Sequence, residues 1–487
     1  MGSALSAEEE TLLDRALHAA RDTRFLAVEP GARHDAARVF ASVFGDGRVV
    51  VVADDRTDAA AGRDVRDSFH RAGIVCEGTF LFGPDVSAEH SFVATLQEAL
   101  GATRATPVAV GSGSINDLTK LAAHRLGRPY MAVATAASMD GYTASGASIT
   151  YRGSKQTFDC PAPRAVLADL DVIALAPPGM NRSGYADLLA KGVAGADWIL
   201  ADAAGEEPID PAAWATVQEF LPSWVDSPGR VAQGDPGCLR RLVVGLMMSG
   251  FAMQTARTSR PASGADHQFS HLWDMQHHTH DGAAPSHGFK VGIGTLASLE
   301  LYEVLLRRDL ARLDVEAAVS DWPSPERVEV RIAALLGSGE LAEKAWAETR
   351  AKHPTHDVLR AQLVRLRAGW PALRQRLARH LRPFRNARAM LREAGCPSEP
   401  EQIGISRDRL RRSYEEAYYI RRRFTVLDFA MRLGVFESAL GELFGPGGAW
   451  FHALWESSPG QYRFAILDRR NGRTPPPRGE VERDVQL

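Results

Sequence analysis

The sequence predicts a doubly wound α/β domain followed by an all-α domain. Three observations carry that prediction. Up to about residue 140, short apolar runs alternate with amphipathic stretches, the pattern of βαβ units and a parallel sheet. One of those runs passes into a helix through a bare turn, Gly111-Ser112-Gly113-Ser114. From Pro178 to about residue 443 the helical period takes over. The expected layout is an α/β domain over 1–177, a helical domain over 178–443 and a partly disordered tail over 444–487.

In chain order, residues 7–27 predict a surface helix, and RVVVVAD (48–54) a buried parallel strand. A polar helix is expected over 57–72, a strand over 74–82 and a helix near 88–100. ATPVAVGSGSINDLTKLAAHRLG (105–127) predicts strand, glycine turn and helix, and 128–138 a further strand. A hairpin is expected around Gly153 and one more strand over 165–177. Helices are then expected over 180–202, 211–222, 236–258, 287–308, 325–337, 340–350, 356–395 and 406–424, with a short one from Val426. The arginine-rich 407–424 stretch mixes its charges with acids and predicts a solvated face or subunit contact ahead of a patch for an anionic substrate. The Pro-rich and charge-rich stretch 468–487 predicts disorder.

Composition narrows the function classes. The chain has 487 residues, net charge −3 and a pI near 6.6, so nothing draws it to nucleic acid or to membrane. Cys76, Cys160, Cys238 and Cys396 form no C-x-x-C pair and predict reduced, structural thiols. The first residues are acidic and amphipathic, with no signal-peptide pattern, and no stretch is apolar enough to span a bilayer. The expected compartment is the cytoplasm. Only six lysines occur among the basic residues. Four of them, Lys120, Lys155, Lys191 and Lys290, lie in or beside the motifs described here, where a compact point charge has a use. Lys155 and Lys290 are the two expected at a substrate phosphate.

Six of the fifteen histidines fall between Ser263 and Gly294. His267 and His271 are four apart in a predicted helix, so they share a face. Ser286 is the expected N-cap of a second helix that opens at His287. Imidazoles from two helices can meet on one cation, with a carboxylate expected to complete a three-ligand set. His277, His278 and His280 sit in a polar loop, where exposure is the simpler expectation. The glycine turn offers bare N–H groups at a helix start, a phosphate cradle or a plain tight turn. Asp54 ends a strand where it can accept from a ribose hydroxyl or simply turn the chain. The small-residue loop 135–150 has Asp140 as its one charge. Asp187 lies inside an amphipathic helix, as most solvated helix acids do.

Taken together, five motifs resemble the sn-glycerol-1-phosphate dehydrogenases: GSGSINDLTK (111–120), TAASMDGYTASGASI (135–149), GYADLLAK (184–191), SGADHQFSHLWDM (263–275) and SHGFKVGIGTL (286–296). That group belongs with the iron-type alcohol dehydrogenases, glycerol dehydrogenases and dehydroquinate synthases. Residues 401–430 look like its bacterial branch, and the resemblance covers about 20–440. It implies a Rossmann-like N-terminal domain and an α-helical C-terminal domain, dehydroquinate synthase-like, with a cleft between them. It implies NAD or NADP and one divalent metal, zinc or, in the bacterial branch, nickel. By motif position, Asp187, His267 and His287 match the metal ligands. Asp140 and His271 match substrate-contacting, catalytic positions, and Asp187 adjoins the substrate. Asp54, Gly111, Ser112, Gly113, Ser114, Ile115, Thr135 and Ser138 match NAD(P)-binding positions. The family has a serine where this chain has Ala144, with Ser145 next to it.

The implied reaction is reduction of dihydroxyacetone phosphate to sn-glycerol 1-phosphate, and its reverse, by hydride transfer at C2. The implied partners are a small phosphorylated triose and further copies of the chain, in a dimer or larger homo-oligomer. His271, one turn from a ligand, is expected to shuttle a proton with a pKa near neutrality. A polyol dehydrogenase, a sugar-phosphate cyclase of the dehydroquinate synthase type and a non-catalytic relative stand as alternatives.

Overall fold

The computed structural model describes residues 5–151 and 154–451. Six parallel strands form one sheet in the order β1-β8-β5-β4-β2-β3. They are β1 (Phe25–Glu29), β2 (Val49–Asp54), β3 (Cys76–Phe82), β4 (Thr106–Gly111), β5 (Met131–Ala134) and β8 (Ala165–Asp169). The remaining two, β6 (Ala147–Tyr151) and β7 (Ser154–Phe158), pair antiparallel as the expected hairpin.

Side chains alternate across the sheet. Val49, Val51, Val108 and Val110 pack with α2 (Ala36–Phe44) and α3 (Arg63–Arg71) through Phe40 and Phe69. Val50, Val52, Ala109 and Ala132 face the other way, onto α4 (His90–Gly101) and α5 (Gly113–Arg125) through Leu96, Leu118 and Leu121. Burial on both faces explains why the strands are continuous apolar runs. The carboxyl ends of β2, β4 and β5 bring Asp54, Gly111 and Ala134 to one edge of the sheet. Ligands bind at that edge in such folds.

Beyond β8 the described chain is helical. The elements that matter for the site are α6 (Pro178–Leu189), α7 (Lys191–Ala204), α8 (Pro236–Ala256), α9 (Ala265–Met275), α10 (His287–Leu306) and α11 (Arg407–Tyr419). No helix among the described residues is long and apolar enough to cross a membrane.

Several boundaries differ from expectation. The 7–27 helix stops at Ala19, and residues 25–29 form edge strand β1, paired to β8. Five residues of mixed burial gave no clear period. The first helix also leaves the sheet: Glu9 accepts from Trp224 Nε1 at 3.1 Å, on the helical side. The 165–177 run is strand only to Asp169, which caps a short helix by accepting from Asp171 N. The 180–202 helix is broken at Ala190, so Asp187 and Lys191 lie on either side of a bend. The 356–395 helix ends at His380 and restarts at Phe384, because Pro383 has no N–H to continue it. Within 444–451 Trp450 is buried and donates to Tyr414 Oη at 3.2 Å, so this stretch is docked. Residues 452–487 lie outside the described residues.

His380 makes the helical region acid-sensitive. Its Nε2 donates to the Gly192 carbonyl at 2.9 Å and its ring lies 5.3 Å from Trp214. Burial pushes its pKa down to about 4, against the pull of that hydrogen bond. The unfolded chain therefore takes up a proton as pH falls through the ordinary histidine value while the folded chain does not. Stability from this group is full above that value and declines as pH drops toward about 4. Urea titrations at pH 7 and pH 5 should show His380→Gln losing about 2 kcal/mol less than wild type across that interval. Equal losses in the two proteins would remove the assignment.

Candidate active site

Three helices deliver the candidate ligands. Asp187 lies in the last turn of α6, His267 near the start of α9, and His287 opens α10. Ser286 caps α10 as expected, its hydroxyl accepting from Phe289 N. The backbones nearly touch: a Cβ at Gly288 would stand 1.8 Å from the Ser183 carbonyl oxygen, and one at Gly294 2.3 Å from that of Asp266. Only glycine allows that approach, which draws α10 against both α6 and α9.

One donor atom each from Asp187, His267 and His287 lies within 4.8 Å of the others. His267 Nδ1 is hydrogen-bonded to the Asp266 carboxylate, while Nε2 lies 3.5 Å from Asp187 Oδ1. That bond fixes the ring and turns Nε2 toward the cluster. Ser270 Oγ lies 3.5 Å from His287 Nδ1. The ring centre of His271 is 6.1 Å from that of His267 and 6.3 Å from that of His287.

Lys191 completes the cluster. Its Nζ is 2.7 Å from Asp187 Oδ1, 2.8 Å from Asp140 Oδ2 and 3.1 Å from the Ala262 carbonyl. Asp140 N donates to Asp187 Oδ2 at 3.2 Å, and Ser249 Oγ donates to Asp140 Oδ2 at 2.8 Å. Asp140 and Asp187 thus share one ammonium while Asp266 pairs with the His267 ring, so acids outnumber the fixed cation of the cluster, a deficit that a divalent cation balances. Two imidazoles and a carboxylate suit such an ion and leave a coordination position open. Burial alone would raise the pKa of Asp187, but Lys191, His267 and His287 hold it well below the carboxylate range. Burial pushes His287 down to about 3, so its ring is neutral, the form that binds metal.

The cluster lies on a cleft of about 780 Å³ whose walls include Asp140, Lys155, His267, His271, His287 and Arg421. A second hollow of about 570 Å³ lies at the sheet edge against Asp54, Ser114, Ile115 and Thr135. Ser112, Ser114 and Met180 line both, so the two adjoin. Gly113 and Ser138 face the larger one. Gly111 sits behind the turn, its carbonyl accepting from Thr135 N and from Tyr142 Oη.

The iron-containing alcohol dehydrogenase family matches residues 27–177. A glycerol-1-phosphate dehydrogenase (NAD(P)+) of Geobacillus stearothermophilus is 32% identical over 395 residues, 79% of this chain and 87% of the relative. The chain belongs to the glycerol-1-phosphate dehydrogenase family. It is thereby an oxidoreductase of the NAD(P)-linked, iron-containing alcohol dehydrogenase type. The same-named protein of Halalkalibacterium halodurans is 35% identical over 276 residues, 55% of this chain and 68% of its own. A probable glycerol dehydrogenase from Sinorhizobium meliloti 1021 shares the fold, with TM-score 0.56 and 15% identity over 86% of this chain and 97% of its own.

Within this member of the glycerol-1-phosphate dehydrogenase family, some sequence expectations need correction. Lys290 does not line the cleft: it is buried and ion-paired with Asp274, so its charge is spent. His278 is not an exposed loop residue. It is buried, with Nε2 donating to the Ile403 carbonyl at 2.6 Å and Arg409 meeting Nδ1 at 2.8 Å. His271 is not poised near neutrality. Burial, then Arg421, His267, His287 and Lys155, push its pKa well below the usual imidazole value.

Lys120 uses its point charge structurally, donating to the carbonyls of Gly141, Ala144 and Gly146 at 2.9–3.0 Å and pinning the 135–150 loop. Ser145, beside Ala144, lines the cleft. Sequence reasoning missed the central place of Lys191 and put Arg421 on a solvated face. The scarcity of lysine was the signal for the first. The second had none, because its neighbours in the sequence are also arginines.

Proposed function

We propose that the protein interconverts dihydroxyacetone phosphate and sn-glycerol 1-phosphate by hydride transfer at C2 with NADH or NADPH. The observation that carries this is the Asp187, His267 and His287 cluster at a cleft that the glycine turn also lines. A divalent cation held by those three side chains supplies Lewis acidity toward the C2 oxygen. Zinc and nickel both suit the donor set. The nicotinamide supplies the redox chemistry.

The chain does the rest. Amide groups at the start of α5, with Ser112, Gly113 and Ser114, take the dinucleotide pyrophosphate. Asp54 accepts from a ribose hydroxyl, and Ile115, Thr135 and Ser138 complete the cofactor wall. Asp140, held by Ser249 and Lys191 through Oδ2, hydrogen-bonds a substrate hydroxyl beside Asp187. His271 exchanges a proton with the C2 oxygen. Its ring is neutral, so it has a free nitrogen to accept the hydroxyl proton when the alcohol is oxidised, though its lowered pKa makes it a weaker base than an ordinary imidazole. Lys155, on β7, faces the substrate's phosphate. A cytoplasmic homo-oligomer, dimer or larger, completes the proposal, and light scattering on the purified chain tests it.

The test is NADH and NADPH oxidation with dihydroxyacetone phosphate, dihydroxyacetone and glyceraldehyde, before and after chelation. Net oxidation with the phosphorylated triose, lost on chelation and restored by metal, is expected. Cofactor recycled with a sugar phosphate would mean a cyclase instead. His271→Asn should lower kcat by roughly 10²- to 10⁴-fold while metal content stays at the wild-type level. An unchanged kcat would take the proton role away from His271.

A further inference from the structure

Arg421 lies just past the end of α11 and forms part of the cleft wall with His271 and Lys155. Its two neighbours are tied down. Arg422 clasps Glu348 through Nε at 3.1 Å and Nη2 at 2.7 Å. Arg423 donates to the carbonyls of Ser259 and Ser263 at 3.2 and 2.7 Å. Arg421 between them is half-buried, yet its guanidinium has no hydrogen bond or ion pair to any described residue. Lys155, which lines the same cleft, likewise has no hydrogen bond or close ion pair among the described residues, though the charges of Asp274 and Asp117 reach it. Glu348 is the acid whose field reaches Arg421, and Arg422 already occupies it.

A half-buried guanidinium with no hydrogen-bonded anion has lost part of its water without gaining a partner. Two such partly covered cations lining one cleft call for an anionic group of the ligand. A phosphate dianion fits: the planar fork of arginine engages two oxygens and the lysine adds a point charge.

We propose that Arg421 and Lys155 form the subsite for the substrate's phosphate, Arg421 being the residue that selects phosphorylated over free triose. This rests on the reading of the site given above. It adds the C-terminal segment, outside the 27–177 match, to the substrate-binding wall.

The test uses the full-length enzyme with Arg421→Met, Arg421→Lys and Lys155→Met. For wild type, inorganic phosphate should compete with dihydroxyacetone phosphate and not with the nucleotide. Arg421→Met should raise KM for dihydroxyacetone phosphate and Ki for phosphate roughly 10- to 100-fold, the loss of one charge-assisted contact. It should leave kcat/KM for dihydroxyacetone within about twofold, with Arg421→Lys in between. An unchanged KM, or equal losses on both triose substrates, overturns the assignment, as does phosphate competing with the nucleotide. Calorimetric titration with inorganic phosphate decides independently of turnover. Binding lost in Arg421→Met supports the subsite, and equal binding in both proteins overturns it. Failure of the wild type to turn over dihydroxyacetone phosphate would sink the proposed reaction while the calorimetry still judges the subsite.

Discussion

His267→Ala is expected to release the divalent metal and to lower kcat/KM by roughly 10³-fold or more, because Lewis-acid stabilisation at the reacting oxygen is worth several kcal/mol. His267 has the lowest exposure of the two candidate imidazole ligands and carries its own orienting acid, Asp266. Asp266→Asn is the graded companion. It keeps the ring but weakens the bond that turns Nε2 toward Asp187, and should cost about 10- to 100-fold in metal affinity. Elemental analysis on dialysed protein, paired with the dihydroxyacetone phosphate assay, measures both effects. Stoichiometric metal in His267→Ala, with activity near wild type, would show that the three side chains do not share an ion.

Lys191→Met should destabilise the metal-free protein by about 3–5 kcal/mol, since removing one partner strands the other buried charges. Asp187 is fully buried and Asp140 half-buried at the cleft, and both carboxylates take the same ammonium. Methionine keeps much of the lysine's length and apolar stem, so the loss reports on charge more than on packing. Excess divalent cation should restore part of the stability by balancing the acids that Lys191 leaves behind. The pH dependence has a definite sign. Asp187 is held below its ordinary value, so its share of stability is present above the unfolded carboxylate pKa and is lost only as pH falls toward the folded one. Urea denaturation of both proteins, with and without metal, reads each point. A variant as stable as wild type would mean that the cluster does not need its ammonium.

Much of the α/β half was legible because its signals are local. RVVVVAD is a run of β-branched residues that only a doubly covered strand accommodates, and β2 spans Val49–Asp54. The glycine turn into α5 was equally plain. Edge strand β1 was not. Its pairing energy comes from β8, some 140 positions away in the chain, and a five-residue run of mixed burial has no period of its own. The helix break at Ala190 shows the same limit: amphipathic periodicity runs through it unchanged.

By itself the sequence determined the fold class and the family motifs, because residue type and spacing are properties of the chain; Asp187 read alone as a solvated helix acid, and its place with His267 and His287 came only from the resemblance. Only the tertiary structure decided which charges are free. Lys155, Lys191, Lys290 and Arg421 all read as cations, yet Lys290 is ion-paired with Asp274, Lys191 is clamped between Asp140 and Asp187, and Lys155 and Arg421 line the cleft without a hydrogen-bonded acid. A cation's role is set by which acid lies within a few ångströms of it, and no one-dimensional pattern encodes that distance.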